Sequence, residues 1–197
     1  MDHMDPLVAN GLAAHRPLIL YDAPGVGRST GSTSTSFAHA AASLAAFMIA
    51  LNIPCVDIWG FSMGGCVAQM LALNHPHLVR KLILSGSIPS IGPGITPPPA
   101  VPFAAIRRAQ SLDEHKFAFI KFSFNDSETS QAAGVAGWER VINARQHRCW
   151  NVGVQATRCQ ITCFAKFMDP RLEGEGSFHR LGELELPVLM TKGKWSC

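Results

Sequence analysis

The residues best suited to chemistry in this sequence are Gly60-Phe61-Ser62-Met63-Gly64-Gly65. A serine with glycines two positions before and two positions after it fits a sharp turn that lifts its side chain clear of the backbone. The glycines remove side chains that would collide in such a turn. An exposed hydroxyl of this kind attacks an acyl carbon once a base takes its proton. The oxyanion that forms needs a donor, and the backbone N–H of Met63 can supply one. The plainer alternative is that Ser62 merely caps a tight turn. Glycine-rich turns of nucleotide-binding folds also follow strands, but they lack a serine at this point and space their glycines differently.

This chemistry requires a strand before Ser62 and a helix after it. Cys55-Val56-Asp57-Ile58-Trp59 is a short apolar run that reads as a strand. After Ser62, the residues Val67, Met70, Leu71 and Asn74 give a helix that Pro76 ends. The helix starts at Met63, so its N-terminal N–H groups point toward the serine. Val79 to Leu84 is a further strand. Upstream, Asp5 to Ala14 reads as a short helix and Leu18-Ile19-Leu20-Tyr21 as a buried strand. Phe37, Ala41, Leu44, Met48 and Leu51 recur at helical spacing, and Asn52 and Pro54 stop that helix. Strands alternating with helices predict a mainly parallel sheet.

Ser87 to Pro102 contains six prolines and reads as a linker. From Phe103 to about Arg180 the pattern is helical, with segments at 103–112, 113–122, 127–148 and 154–168. Asn125 with Glu128 reads as a capping box for the third of these. Leu184 to Thr191 returns to a strand. The expected organisation is therefore a core part at 1–86, a proline-rich linker and helical cap at 87–180, and a returning core strand at 181–197.

Composition narrows the function classes. The 197 residues are 47% hydrophobic and 16% charged, which fits a globular chain and excludes a disordered one. The net charge of +3 is scattered, so nucleic acid is not an expected partner. No apolar run reaches the ~18 residues of a membrane span. The first residues, Met1-Asp2-His3-Met4-Asp5-Pro6, do not read as a secretion signal. Cys159 and Cys163 lie four apart on a predicted helix, but no second ligand pair has suitable spacing for a metal. The six cysteines read as free thiols in a reducing compartment, and the expected location is cytoplasmic. No motif implies a metal or an organic cofactor.

Three stretches resemble the α/β-hydrolase superfamily, in its branch of esterases and cofactor-free haloperoxidase-type enzymes. They are Leu20-Tyr21-Asp22-Ala23-Pro24-Gly25-Val26-Gly27-Arg28-Ser29, Gly60 to Gly65, and His75-Pro76-His77-Leu78-Val79-Arg80-Lys81-Leu82-Ile83-Leu84. The helical segment and Leu186-Pro187-Val188-Leu189-Met190 resemble that branch's cap and the strand after it. The resemblance implies a partial α/β-hydrolase fold with flanking helices and a helical cap insertion. It implies a serine hydrolase acting on an ester, thioester or lactone of a small apolar compound, with Ser62 as nucleophile and the Met63 amide as oxyanion donor.

The resemblance also implies a carboxylate after the strand ending at Thr191, where this chain has Lys192-Gly193-Lys194-Trp195-Ser196-Cys197. The alternative acid position, after Leu84, reads Ser85-Gly86-Ser87-Ile88. By the family's order the base histidine would lie beyond residue 197, and a His-Gly loop would precede Met1. The strand carrying that loop lies, in the family, between the strands read here as 18–21 and 55–59. The expectation is a chain truncated at both ends and catalytically incomplete. None of its eight histidines reads as the base; His115 or His147 would have to approach from the cap. Two alternatives stay open beside the hydrolase: an inactive pseudo-hydrolase, and a ligand-binding protein on the same scaffold. The oligomeric state is not legible.

Overall fold

The computed structural model of the chain describes residues 4–97, 108–109, 111–144, 153–172 and 174–193. In chain order its elements are α1 (Pro6–Ala13), α2 (Phe37–Ala50), β1 (Val56–Phe61), α3 (Met63–Asn74), β2 (Val79–Ser85), α4 (Leu112–Ser123), α5 (Glu128–Asn143), α6 (Val154–Phe167) and β3 (Val188–Thr191), with 3-10 turns at Pro76–Leu78 and Phe178–Glu183. They divide between two compact units. One comprises residues 22–97 and 152–194 and holds the sheet; the other comprises 1–21, 98–151 and 195–197.

In the sheet unit, β1, β2 and β3 form a parallel sheet in that order. Gly60 stands opposite Leu84, Phe61 opposite Ser85, and Ser85 opposite Thr191. Ser36 caps α2 by accepting from the His39 N–H, and Phe37, Ala41, Ala45 and Met48 put its apolar stripe inside. Helix α3 is buried along most of its length, from Gly65 to Leu73 apart from Val67. A helix apolar on nearly every side needs cover on nearly every side. Its Met70 and Leu71 join Leu82 of β2, Phe37 of α2 and Phe167 of α6 in one apolar cluster. The Phe37 ring meets Phe164 and Phe167 edge-on, with centroids at 5.8 and 5.3 Å.

In the helix unit, Asp5 caps α1 by accepting from the Leu7 N–H and also binds Arg140 of α5. Helices α4 and α5 meet around Trp138, which lies against Phe119 at 5.6 Å and stacks on His115 at 6.3 Å. Among the described residues, no helix is long and apolar enough to cross a membrane.

Two expectations are corrected, the strand at 18–21 and the cap at Asn125. Leu18 to Tyr21 stays outside the sheet, and Leu18 and Ile19 are exposed. A strand exists only through its ladder, and the only described neighbour of β1 is β2. The cap of α5 is Ser127, which accepts from the Ser130 N–H, while Asn125 accepts from Ser127 two residues on. An asparagine here gains more from a local turn than from capping a helix that starts three residues on. Helix α6, read as part of the insertion, packs with the sheet unit through Cys163 and Phe167. Its strongly apolar face decides this: a helix goes where its stripe can be covered. The expected helical stretch at 103–107, Arg148, and the end of the linker at 98–102 lie outside the described residues.

Candidate active site

Ser62 stands between the last residue of β1 and the first of α3, at φ 51 and ψ −121. Only Asn52 shares a positive φ among the described non-glycine residues. Such a conformation costs about 1–3 kcal/mol and persists only where its surroundings over-determine it. Here the Ser62 N–H donates to the Ser85 carbonyl at 2.9 Å, and the Ser62 carbonyl accepts from the Gly65 N–H at 2.9 Å. Both backbone groups of the strained residue are thus held, one from β2 and one from α3.

Packing completes the constraint. A Cβ on Gly60 would stand 2.5 Å from the Gly64 carbonyl oxygen and from the Gly65 Cα. A Cβ on Gly65 would overlap the Ser87 side chain. A Cβ on Gly64 would meet nothing within 4 Å. The spacing of the motif assigned the steric role to Gly60 and Gly64; the structure gives it to Gly60 and Gly65. The doubled glycine at 64–65 was the available signal. Choosing between the two requires knowing which face of α3 touches the segment after β2.

The ends of the strands are tied together beside this turn. The Trp59 indole N–H donates to Ser85 Oγ at 2.7 Å, and Thr191 Oγ1 donates to the same oxygen at 2.7 Å. The Gly86 N–H donates to the Thr191 carbonyl at 2.8 Å. Ser85 therefore joins all three strands and holds the Ser62 amide, a role its sequence position does not announce. Ser62 is half-buried and Phe61 beside it is exposed. Met63 begins α3, and the first amides of a helix have no intrahelical acceptor. Together with the helix dipole they favour negative charge at this end.

Cys66, one turn into α3, is no rival nucleophile. Burial pushes its thiol up to about 12, and its sulfur lies 3.9 Å from Ser87 Oγ. Among the described residues, no histidine or carboxylate hydrogen-bonds the Ser62 hydroxyl. His39 lies in the first turn of α2, His75 and His77 flank the end of α3 with rings 6.4 Å apart, His115 stacks on Trp138, and His179 lies beside Phe178. His3, His147 and residues 194–197 lie outside the described residues. Among the described residues, no group of three or more His, Cys, Asp or Glu side chains is placed to hold a metal.

Comparison with known proteins identifies the fold. A family model described as the alpha/beta hydrolase fold matches residues 3–194. The pimeloyl-acyl-carrier-protein methyl ester esterase of Salmonella heidelberg is 38% identical over 92 residues, covering 44% of this chain and 34% of that protein. An alpha/beta hydrolase fold protein from Chitinophaga pinensis superposes with a TM-score of 0.75 at 26% identity, over 97% of this chain and 75% of that one. The 2-hydroxy-6-oxo-6-phenylhexa-2,4-dienoate hydrolase of Rhodococcus sp. strain RHA1 has a TM-score of 0.63 at 18% identity, over 98% of this chain and 68% of that one, which shows a shared fold. The chain thus spans about a third of the length of the esterase it matches in sequence.

Proposed function

The chain belongs to the alpha/beta hydrolase fold family, and on that premise we propose that it carries the nucleophile part of a serine hydrolase for an ester, thioester or lactone of a small apolar compound, the acid and base being absent from the described residues around Ser62. Ser62 attacks the acyl carbon as its proton passes to a base that lies outside the described residues, and the Met63 N–H receives the developing oxyanion. The observation that carries this reading is the strained Ser62 backbone between β1 and α3. Strain held in place by two hydrogen bonds and two glycine contacts has no structural use in a turn any glycine would make without cost. The esterase relative supports an ester as substrate class. The free thiols of Cys55, Cys66, Cys159 and Cys163 support a reducing, cytoplasmic setting.

The test is covalent labelling with a fluorophosphonate, mapped by peptide mass spectrometry, alongside turnover of short-chain p-nitrophenyl esters. In a form of the protein that carries the base, the expected result is a single adduct on Ser62 that Ser62→Ala abolishes, together with ester turnover. Ester binding without adduct or turnover would instead favour a ligand-binding protein on this scaffold. An adduct elsewhere, with none on Ser62, would remove the nucleophile assignment.

A further inference from the structure

Gln69 lies two turns along α3 from Ser62 and is 1% exposed. A buried amide is tolerated only when both of its ends are bonded. Its NH2 group donates to the Gly65 carbonyl at 3.2 Å and to the Ile88 carbonyl at 3.0 Å. Its oxygen accepts from the Ser177 hydroxyl at 2.8 Å. Ser177 is fully buried and accepts in turn from the Ser90 N–H at 3.1 Å, while Ser90 Oγ accepts from the Phe178 N–H at 2.8 Å. One side chain thus joins the first turn of α3, the segment leaving β2, and the segment entering the turn at Phe178–Glu183. All of these residues belong to the sheet unit.

The network converges on the turn that holds Ser62. The Gly65 carbonyl that Gln69 grips belongs to the residue whose N–H binds the Ser62 carbonyl. Gly65 is also the residue packed without clearance against Ser87, and Cys66 Sγ approaches Ser87 Oγ and the Ile88 carbonyl at 3.9 Å each. An apolar side chain of similar volume would fill this part of the core. A buried polar network adds directional constraint, which apolar contact lacks. We propose that Gln69 is a positioning residue for Ser62: its amide locks the first turn of α3 onto residues 87–90 and so fixes where the serine oxygen stands. This rests on the reading of Ser62 as the nucleophile.

The experiment compares wild type, Gln69→Leu and Ser177→Ala in this chain, with two readouts. In fluorophosphonate saturation kinetics at Ser62, the limiting labelling rate falls about tenfold or more in Gln69→Leu, because small displacements of a reacting atom carry penalties up to about a hundredfold. The half-saturating concentration changes by less than about twofold, a split that separates positioning from binding. In native-state hydrogen exchange, amides of residues 60–66 exchange faster while those of β2 and α2 do not. A merely structural role predicts faster exchange throughout the sheet unit, with labelling reduced only in proportion to the unfolded fraction; that result overturns the proposal. So does a folded Gln69→Leu with unchanged labelling and exchange. Should Gln69→Leu not fold, Ser177→Ala carries both readouts, because it removes the donor to the Gln69 oxygen. If wild type gives no adduct at Ser62, that outcome bears on the activation of Ser62 and not on the lock. Exchange at 60–66 then decides: faster in the variant supports the lock, unchanged overturns it.

Discussion

At Gly60 and Gly65, which back the turn at Ser62, there is no spare room, whereas at Gly11 of α1 there is plenty. A Cβ added at Gly60 would meet backbone atoms at 2.5 Å, and one added at Gly11 meets nothing within 4 Å. The burial of the two regions differs as well. The sheet unit buries Met70, Leu71, Leu82 and Phe167 in one cluster and satisfies Gln69, Ser90 and Ser177 within it. In the helix unit α1 buries no residue, while α4 and α5 bury Ala118, Ile120, Trp138 and Val141. The difference shows where rigidity is needed. A residue held at φ 51 must be constrained from several sides, while helices with ordinary backbone angles need only their ends satisfied.

Substitutions paired across the two units test this difference in packing. The largest effect is expected for Phe167→Ala, about 3–5 kcal/mol by chemical denaturation, because the side chain is fully enclosed. Its counterpart Phe117→Ala, on an exposed side chain of α4, should shift stability by no more than about 0.5 kcal/mol. Equal losses at both positions would refute the idea of two differently packed units.

Next in size is Gly60→Ala. The atoms it would strike are backbone and cannot rotate away, so a loss of about 3 kcal/mol is expected. Gly11→Ala, in the interior of α1 with open space around it, should instead stabilise by about 0.5–1 kcal/mol. Thermal melts of the two variants should therefore move in opposite directions.

Ser62→Gly tests whether strain is stored at the turn. Relief of the positive φ is expected to raise stability by about 1 kcal/mol while abolishing fluorophosphonate labelling. A destabilised Ser62→Gly would mean that the turn is comfortable for serine and that its geometry carries no functional signal.

The effect of Asp5→Asn is small and depends on pH. The Arg140 guanidinium holds the Asp5 carboxyl below its ordinary value of 3.8. A depressed carboxyl stabilises the fold above its unfolded value, and that contribution disappears as pH falls through the folded one. Asp5→Asn keeps the helix cap, so it should fall slightly short of wild type near neutral pH and match it at pH 2. Asp5→Ala also loses the cap, at about 1 kcal/mol, and should stay below wild type across the range. Denaturation curves at several pH values check both variants.

Much of this architecture was readable in the residues. The 3.6-residue spacing of Phe37, Ala41 and Met48 and the proline after Asn74 located α2 and α3 to within a residue or two. The serine between a short apolar run and a helix located the turn. Leu18 to Tyr21 misled because an apolar run shows a wish to be buried, while a strand also needs hydrogen-bond partners from elsewhere. Asn125 misled because a side chain that caps helices equally well closes local turns.

The sequence alone thus determined what depends on neighbours along the chain: helix periodicity, breakers, and the turn at Ser62. The tertiary structure decided what depends on residues far apart in number. Examples are Gly65 against Ser87, Ser85 linking Trp59 to Thr191, and Gln69 bonded to Ser177. Local preferences act through a few backbone angles and leave a pattern in the residues. A buried hydrogen bond between distant segments leaves none, because many polar pairs could make it and only the folded path of the chain selects which two meet.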